Sequence, residues 1–102
     1  MGLLLLSLVA CGPSEDAFKE QYIESACEKT VECYEGKALM SVDECTAFLT
    51  LYSDELWGSY AECTYSSSNA SKCLNAVSGL ECGYDEAAYA EVTEVCSSVW
   101  EC

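Results

Sequence analysis

Histidine and arginine are both missing from this 102-residue chain, and only four lysines stand against 18 acidic residues. The resulting net charge of −14 argues against nucleic acid and against an anionic membrane face as partners, since both are held by cationic side chains. Without histidine the chain lacks the commonest general base, the commonest metal ligand and the residue that completes a c-type haem attachment motif. Apolar runs are short as well. The longest, LLLLSLVA over residues 3–10, falls well below the roughly 20 residues needed to span a bilayer as a helix. Sustained period-two alternation is also absent, so no strand pattern competes with the helical ones.

Cysteine, by contrast, is abundant. Nine in so short a chain point to a disulfide scaffold in an oxidising compartment, and the odd count requires one cysteine with a separate task. Cys11 fits that task, because Leu8-Val9-Ala10-Cys11 resembles the lipobox of bacterial lipoproteins: an aliphatic residue, a small one, then the cysteine whose thiol accepts diacylglycerol. The resemblance implies a signal peptide over residues 1–10, a lipidated cysteine with a short tether over 11–14, and a cysteine-rich helical domain over 15–102. Lipid chains on Cys11 would hold the protein to a membrane, with two or more chains giving stable anchoring. No Lys or Arg precedes the apolar run, and ten residues is short for a signal of this kind, which suggests a start codon farther upstream. Gly12 rather than Asp after the cysteine leans, by resemblance to enterobacterial sorting, towards the outer membrane. A tether of about four residues reaches roughly 13 Å at most, so the folded domain would lie close to the headgroups.

Four helices are expected. Ser14 caps the first, whose opening turn carries Glu15 and Asp16 at the positive end of the helix dipole. Its inward positions are Phe18, Tyr22, Ile23, Ala26, Cys27, Thr30, Cys33 and Tyr34, and Gly36 ends it. Ser41-Val42-Asp43-Glu44 reads as a capping box opening a second helix. Its stripe runs through Cys45, Phe48, Leu49, Tyr52, Leu56, Tyr60 and Cys63, with Gly58 as a possible break. Ser66–Asn69 reads as a loop ending in a cap. A shorter third helix carries Cys73, Ala76, Val77 and Leu80 and ends near Gly79. The fourth starts around Asp85 and presents Ala88, Val92, Val95, Cys96 and Val99. The fold expected is an all-α, disulfide-stapled bundle.

The cysteines from Cys27 onward are separated by 5, 11, 17, 9, 8, 13 and 5 residues. No C-x2-C spacing occurs, so a zinc ribbon and a thioredoxin-type redox pair lose their signature. Four disulfides among Cys27, Cys33, Cys45, Cys63, Cys73, Cys82, Cys96 and Cys102 remain, and eight cysteines allow 105 pairings. Clips across adjacent helix ends favour Cys33–Cys45 and Cys63–Cys73, leaving Cys27, Cys82, Cys96 and Cys102 to tie the C-terminal pair to helix one. Cys27–Cys33 and Cys96–Cys102 are disfavoured, because residues six apart on a straight helix point to different sides.

With this framework in view the chain resembles the short, cysteine-rich lipoproteins abundant in myxobacteria and related bacteria. The likeness lies in Leu8–Cys11, C-E-K-T-V-E-C from Cys27, S-V-D-E-C from Ser41 and C-L-N-A-V-S-G-L-E-C from Cys73. It implies location and scaffold and carries over no active site.

For function the sequence favours a non-enzymatic, lipid-anchored envelope module that contacts another protein or a cell-wall component. Carboxylate pairs at Asp43/Glu44, Asp54/Glu55 and Asp85/Glu86 could serve a hydrolase. Adjacent helical positions diverge by about 100°, however, and no triad, metal or cofactor motif assembles around them. Weak surface binding of calcium is the other alternative, though no EF-hand loop is present. No cofactor is expected. Of the eleven aromatics, Trp57 lies off its helix's stripe and is the candidate partner contact; a basic partner is favoured by charge.

Overall fold

A computed structural model describes residues 12–34 and 40–102. The leader, Cys11 and the Gly36 helix stop lie outside the described residues. Among the described residues five helices and a two-stranded ladder follow in order: α1 (Glu15–Cys33), α2 (Val42–Leu51), α3 (Ser53–Trp57), a 3₁₀ turn (Gly58–Tyr60), β1 (Thr64–Tyr65), α4 (Ser67–Ser78), α5 (Glu86–Ser97) and β2 (Trp100–Glu101). The all-α, disulfide-stapled architecture expected from the sequence is present.

Helix starts follow their caps. Ser14 accepts from the Ala17 N–H and Asp85 from the Ala88 N–H. At Ser41 the full reciprocal box forms, its side chain accepting from the Glu44 N–H while the Glu44 carboxylate accepts from the Ser41 N–H at 3.0 Å. Such caps satisfy amides that the helix itself leaves without partners. Ser66 does the same for Asn69. Ser67–Asn69, expected to be loop, therefore form the first turn of α4.

The second helix departs most from expectation. It stops at Leu51 rather than running through to Cys63, and the chain turns at Tyr52 before α3 and the 3₁₀ turn. The break brings Trp57 back onto α1, against Phe18 and Tyr22. Consequently the expected stripe meets the core only at its far end, through Tyr60 and Cys63: Phe48 on α2, Tyr52 just past it and Leu56 on α3 are exposed, as is Leu51, to 78%.

Packing centres on α4, which lies against α1 on one side and α5 on the other, while α2 packs on α1. The buried cluster is Phe18, Ala70, Cys73, Val77, Val99 and Trp100. Ile23 and Cys27 are also buried, and no polar or charged residue is buried among the described residues. Trp100 satisfies its indole by donating Nε1–H to Glu15 at 2.9 Å.

The disulfides are Cys27–Cys45, Cys33–Cys82, Cys63–Cys102 and Cys73–Cys96. Neither Cys33–Cys45 nor Cys63–Cys73 forms. The expectation of clips across helix ends gives way to side-by-side positions within packed helices: Cys27 meets Cys45 across the α1–α2 contact, and Cys73 meets Cys96 across α4–α5. The ladder decides a third. Thr64 pairs with Glu101 and Tyr65 with Trp100, so the next antiparallel step sets Cys63 opposite Cys102. Cys33–Cys82 joins the end of α1 to the loop between α4 and α5, and Cys27–Cys33 and Cys96–Cys102 do not occur. Four disulfides of this kind place the domain in an oxidising, extracytoplasmic setting.

The chain enters the domain along a fixed path. Gly12 adopts φ +87°, and a Cβ there would fall inside the contact radius of the Ser67 carbonyl oxygen. The Tyr65 hydroxyl donates to the Pro13 carbonyl at 2.6 Å. Gly12–Ser14 is thus pinned to α4 and β1. Among the described residues no helix is long and apolar enough to cross a membrane.

Candidate functional site: an aromatic furrow between two helices

Because α4 separates α1 from α5, those two helices leave a furrow between them. Tyr22, Tyr89 and Val92 line both of the clefts along it. At one end a cleft of about 270 Å³ opens between Phe18, Leu56, Trp57, Tyr60, Thr93 and Trp100. At the other a cleft of about 400 Å³ is bounded by Ala26, Lys29, Thr30, Tyr34, Val77, Leu80 and Tyr84.

Helical register explains the lining. Phe18, Tyr22 and Ala26 recur every four residues on α1, and Tyr89, Val92, Thr93 and Cys96 share one side of α5. At the first end the rings pack on one another. Tyr60 stacks on Trp100 at 4.5 Å, Trp57 lies 5.4 Å from Trp100, and Tyr22 meets Trp57 edge-on at 5.5 Å. These are the offset and edge-to-face arrangements that aromatic quadrupoles favour.

The phenols at this end influence one another. Burial pushes the Tyr22 hydroxyl above its ordinary value near 10, and the neighbouring Tyr89 and Tyr60 push it further the same way. Tyr65 is raised too, first by burial and then by the Glu15 carboxylate. Both remain neutral at physiological pH, able to donate and to accept hydrogen bonds. Lys29, at the opposite end, has its ammonium 3.9 Å from Glu32.

Trp57, expected as a partner contact, is half-buried and forms a wall shared by two openings. One face belongs to the furrow; the other lines a crevice with Asp16, Lys19, Glu20 and Asp54. Its Nε1–H is buried without a hydrogen-bond partner. Tyr60, Tyr84, Tyr89 and Trp100 were not singled out from sequence as site residues. For Tyr89 a signal existed, since it lies seven residues before Cys96 and so on the same side of the helix.

The acidic pairs do not converge. Glu44 and Asp85 are occupied as helix caps, and Asp54 and Glu55 form the exposed first turn of α3. Among the described residues no group of three or more acidic or cysteine side chains is placed to hold a metal ion. Ser66, besides capping α4, has Ser68 Oγ at 3.4 Å.

No protein-family model, curated protein or solved structure matches this chain.

Proposed function

We propose that the protein is a non-enzymatic, lipid-anchored module of the bacterial envelope that docks another envelope component through its aromatic furrow. The pinned entry of the chain carries this reading. Gly12 is fixed against α4 only one residue after Cys11, so lipid on that cysteine would hold the domain at the bilayer surface without a flexible stalk. The Leu8-Val9-Ala10-Cys11 sequence and the oxidising setting implied by four disulfides support the same assignment. Gly12 in place of Asp favours the outer membrane.

Mass spectrometry of the protein purified from bacterial membranes tests the anchor. The N-terminal peptide should begin at Cys11 and carry diacylglyceryl and acyl mass, and Cys11→Ser should move the protein to the soluble fraction. A mature N-terminal peptide with an unmodified Cys11 thiol would refute the anchor.

A further inference from the structure

We propose that the furrow between α1 and α5 is a docking groove for an extended, basic polypeptide segment, one of whose lysine or arginine side chains seats against Trp57, Tyr60 and Tyr89. The proposal rests on the binding-module reading above and gives that module its ligand chemistry.

Three observations lead to it. The first is shape. Along α1 the lining runs from Phe18 to Tyr34, about 24 Å at helical rise, which accommodates about seven extended residues. A small solute would occupy only one of the two clefts.

The second is charge. A chain with net charge −14 and no arginine attracts a basic segment from a distance and repels an acidic one. Within the furrow the one charged lining residue among the described residues is Lys29, which sits in the far cleft beside Glu32. Among them the Trp57 end has no charged lining residue, and the nearby Glu15 carboxylate is shared between the Trp100 indole N–H at 2.9 Å and the Lys19 ammonium at 3.9 Å. A ligand cation is therefore placed at the Trp57 end and apolar ligand residues against Tyr34, Leu80 and Tyr84.

The third is surface chemistry. Indole and phenol rings attract cations through their faces, and tyrosine hydroxyl oxygens accept N–H bonds from an ammonium or guanidinium. Tyr89 is 56% exposed, so it is accessible to a ligand, and its side chain is not needed to close the core.

The two tryptophans of the chain both line the groove and serve as its reporters. Intrinsic fluorescence of the disulfide-intact protein would be followed against capped heptapeptides of alternating lysine and proline, of glutamate and proline, and of serine and proline, and against tetramethylammonium. The lysine peptide should saturate the signal near about 1 mM or below, while the glutamate and serine peptides leave it unchanged. Tyr89→Ala should weaken lysine-peptide binding by about fivefold, within the twofold to thirtyfold range of a cation–π contact. Tyr52→Ala, at an exposed aromatic just past the end of α2 and outside the groove, should leave binding within about twofold, as a surface change remote from the ligand does. Equal responses to the lysine and glutamate peptides, or equal losses in Tyr89→Ala and Tyr52→Ala, would overturn the proposal. So would saturation by tetramethylammonium at the same concentration as the peptide, which would mark a small-cation pocket. Absence of any peptide response removes the groove's assigned ligand but leaves the lipid mass on Cys11 as a separate result, so the two readings fail independently.

Discussion

Replacing Cys33 and Cys82 together by alanine isolates what a disulfide contributes to this domain. The bond spans 49 residues, the widest separation of the four, and joins the end of α1 to the loop before α5. In the chain-entropy account, releasing a loop of that length costs about 4 kcal/mol at 25 °C. The location makes the test clean: Cys82 is exposed and Cys33 half-buried, so alanine at both positions opens no cavity in the core. For a domain of this size each kcal/mol moves the melting temperature by about 4–8 °C, giving an expected fall of about 15–30 °C. Thermal and urea unfolding followed by far-UV circular dichroism would measure it, with thiol titration confirming that the remaining three bonds are intact. A fall smaller than about 5 °C would mean that the unfolded chain is not restrained by this bond in the way loop entropy requires. The contrasting pair, Cys73→Ala with Cys96→Ala, spans only 23 residues and loses about 3.4 kcal/mol in the same account. Cys73, however, is fully buried in the central cluster. Its removal adds a packing loss of about 1 kcal/mol or more, so the shorter loop should prove at least as costly as the longer one.

Gly12→Ala should lower the melting temperature by about 5–10 °C, because a left-handed backbone costs an alanine about 1–2 kcal/mol and the added methyl meets the Ser67 carbonyl. Gly58→Ala is the opposite case: φ is −57° and nothing lies within 4 Å of the added Cβ, so a gain of about 0.4–1 kcal/mol is expected in the same melts. Trp57→Phe removes an indole N–H that has no partner. Relief of a desolvation cost of about 1–3 kcal/mol should offset the lost ring area and leave stability within about 1 kcal/mol of the parent in urea titration. Above pH 10 the domain should lose stability. Tyr22 and Tyr65 ionise later in the folded state than in the unfolded one, so the unfolded chain releases protons first and the free energy of unfolding falls as pH rises. Tyrosinate absorbance near 295 nm should lag that of the denatured protein, and coincident curves would contradict the burial of these phenols.

Local signals proved the most legible part of the sequence. Ser14, Ser41 and Asp85 each cap the helix assigned to them, because a cap is a contact between residues three apart and depends little on the rest of the molecule. The reach of the second helix was not legible. Phe48, Tyr52, Leu56 and Tyr60 continue a helical period across the break at Tyr52, and periodicity cannot distinguish a stripe that meets the core from one that faces water. The core partner of that region is Trp57, and its contact with Phe18 and Tyr22 bends the chain away from the helix the pattern promised. Disulfide pairing was hidden for a related reason. Cys63–Cys102 follows from a ladder of only two residue pairs, too short to leave an alternating pattern, and Cys27–Cys45 follows from how α1 and α2 lie against each other. The furrow was partly visible: Tyr22 and Val92 belong to recognisable stripes, but which stripes face each other across α4 is a tertiary fact.

The cross-links and the furrow are connected through the size of the core. Only eight hydrophobic residues are buried among the described residues, and two of those are half-cystines. A core so small gives marginal stability on its own, and the ordinary remedy would be to bury more aromatic surface. This chain does the reverse, leaving Tyr34, Tyr84 and Tyr89 exposed by 46–61% along one groove. Cross-links that raise the free energy of the unfolded chain stabilise the fold without using those side chains as filler. The argument has a direct consequence. If the disulfides are what permit the tyrosines to stay at the surface, then in the Cys33→Ala, Cys82→Ala variant Tyr89→Leu should add no more than about 0.5 kcal/mol of destabilisation, the usual range for a surface position. A loss of 2 kcal/mol or more, about the cost of a core truncation, would show that Tyr89 belongs to the core after all and that the groove is an accident of packing.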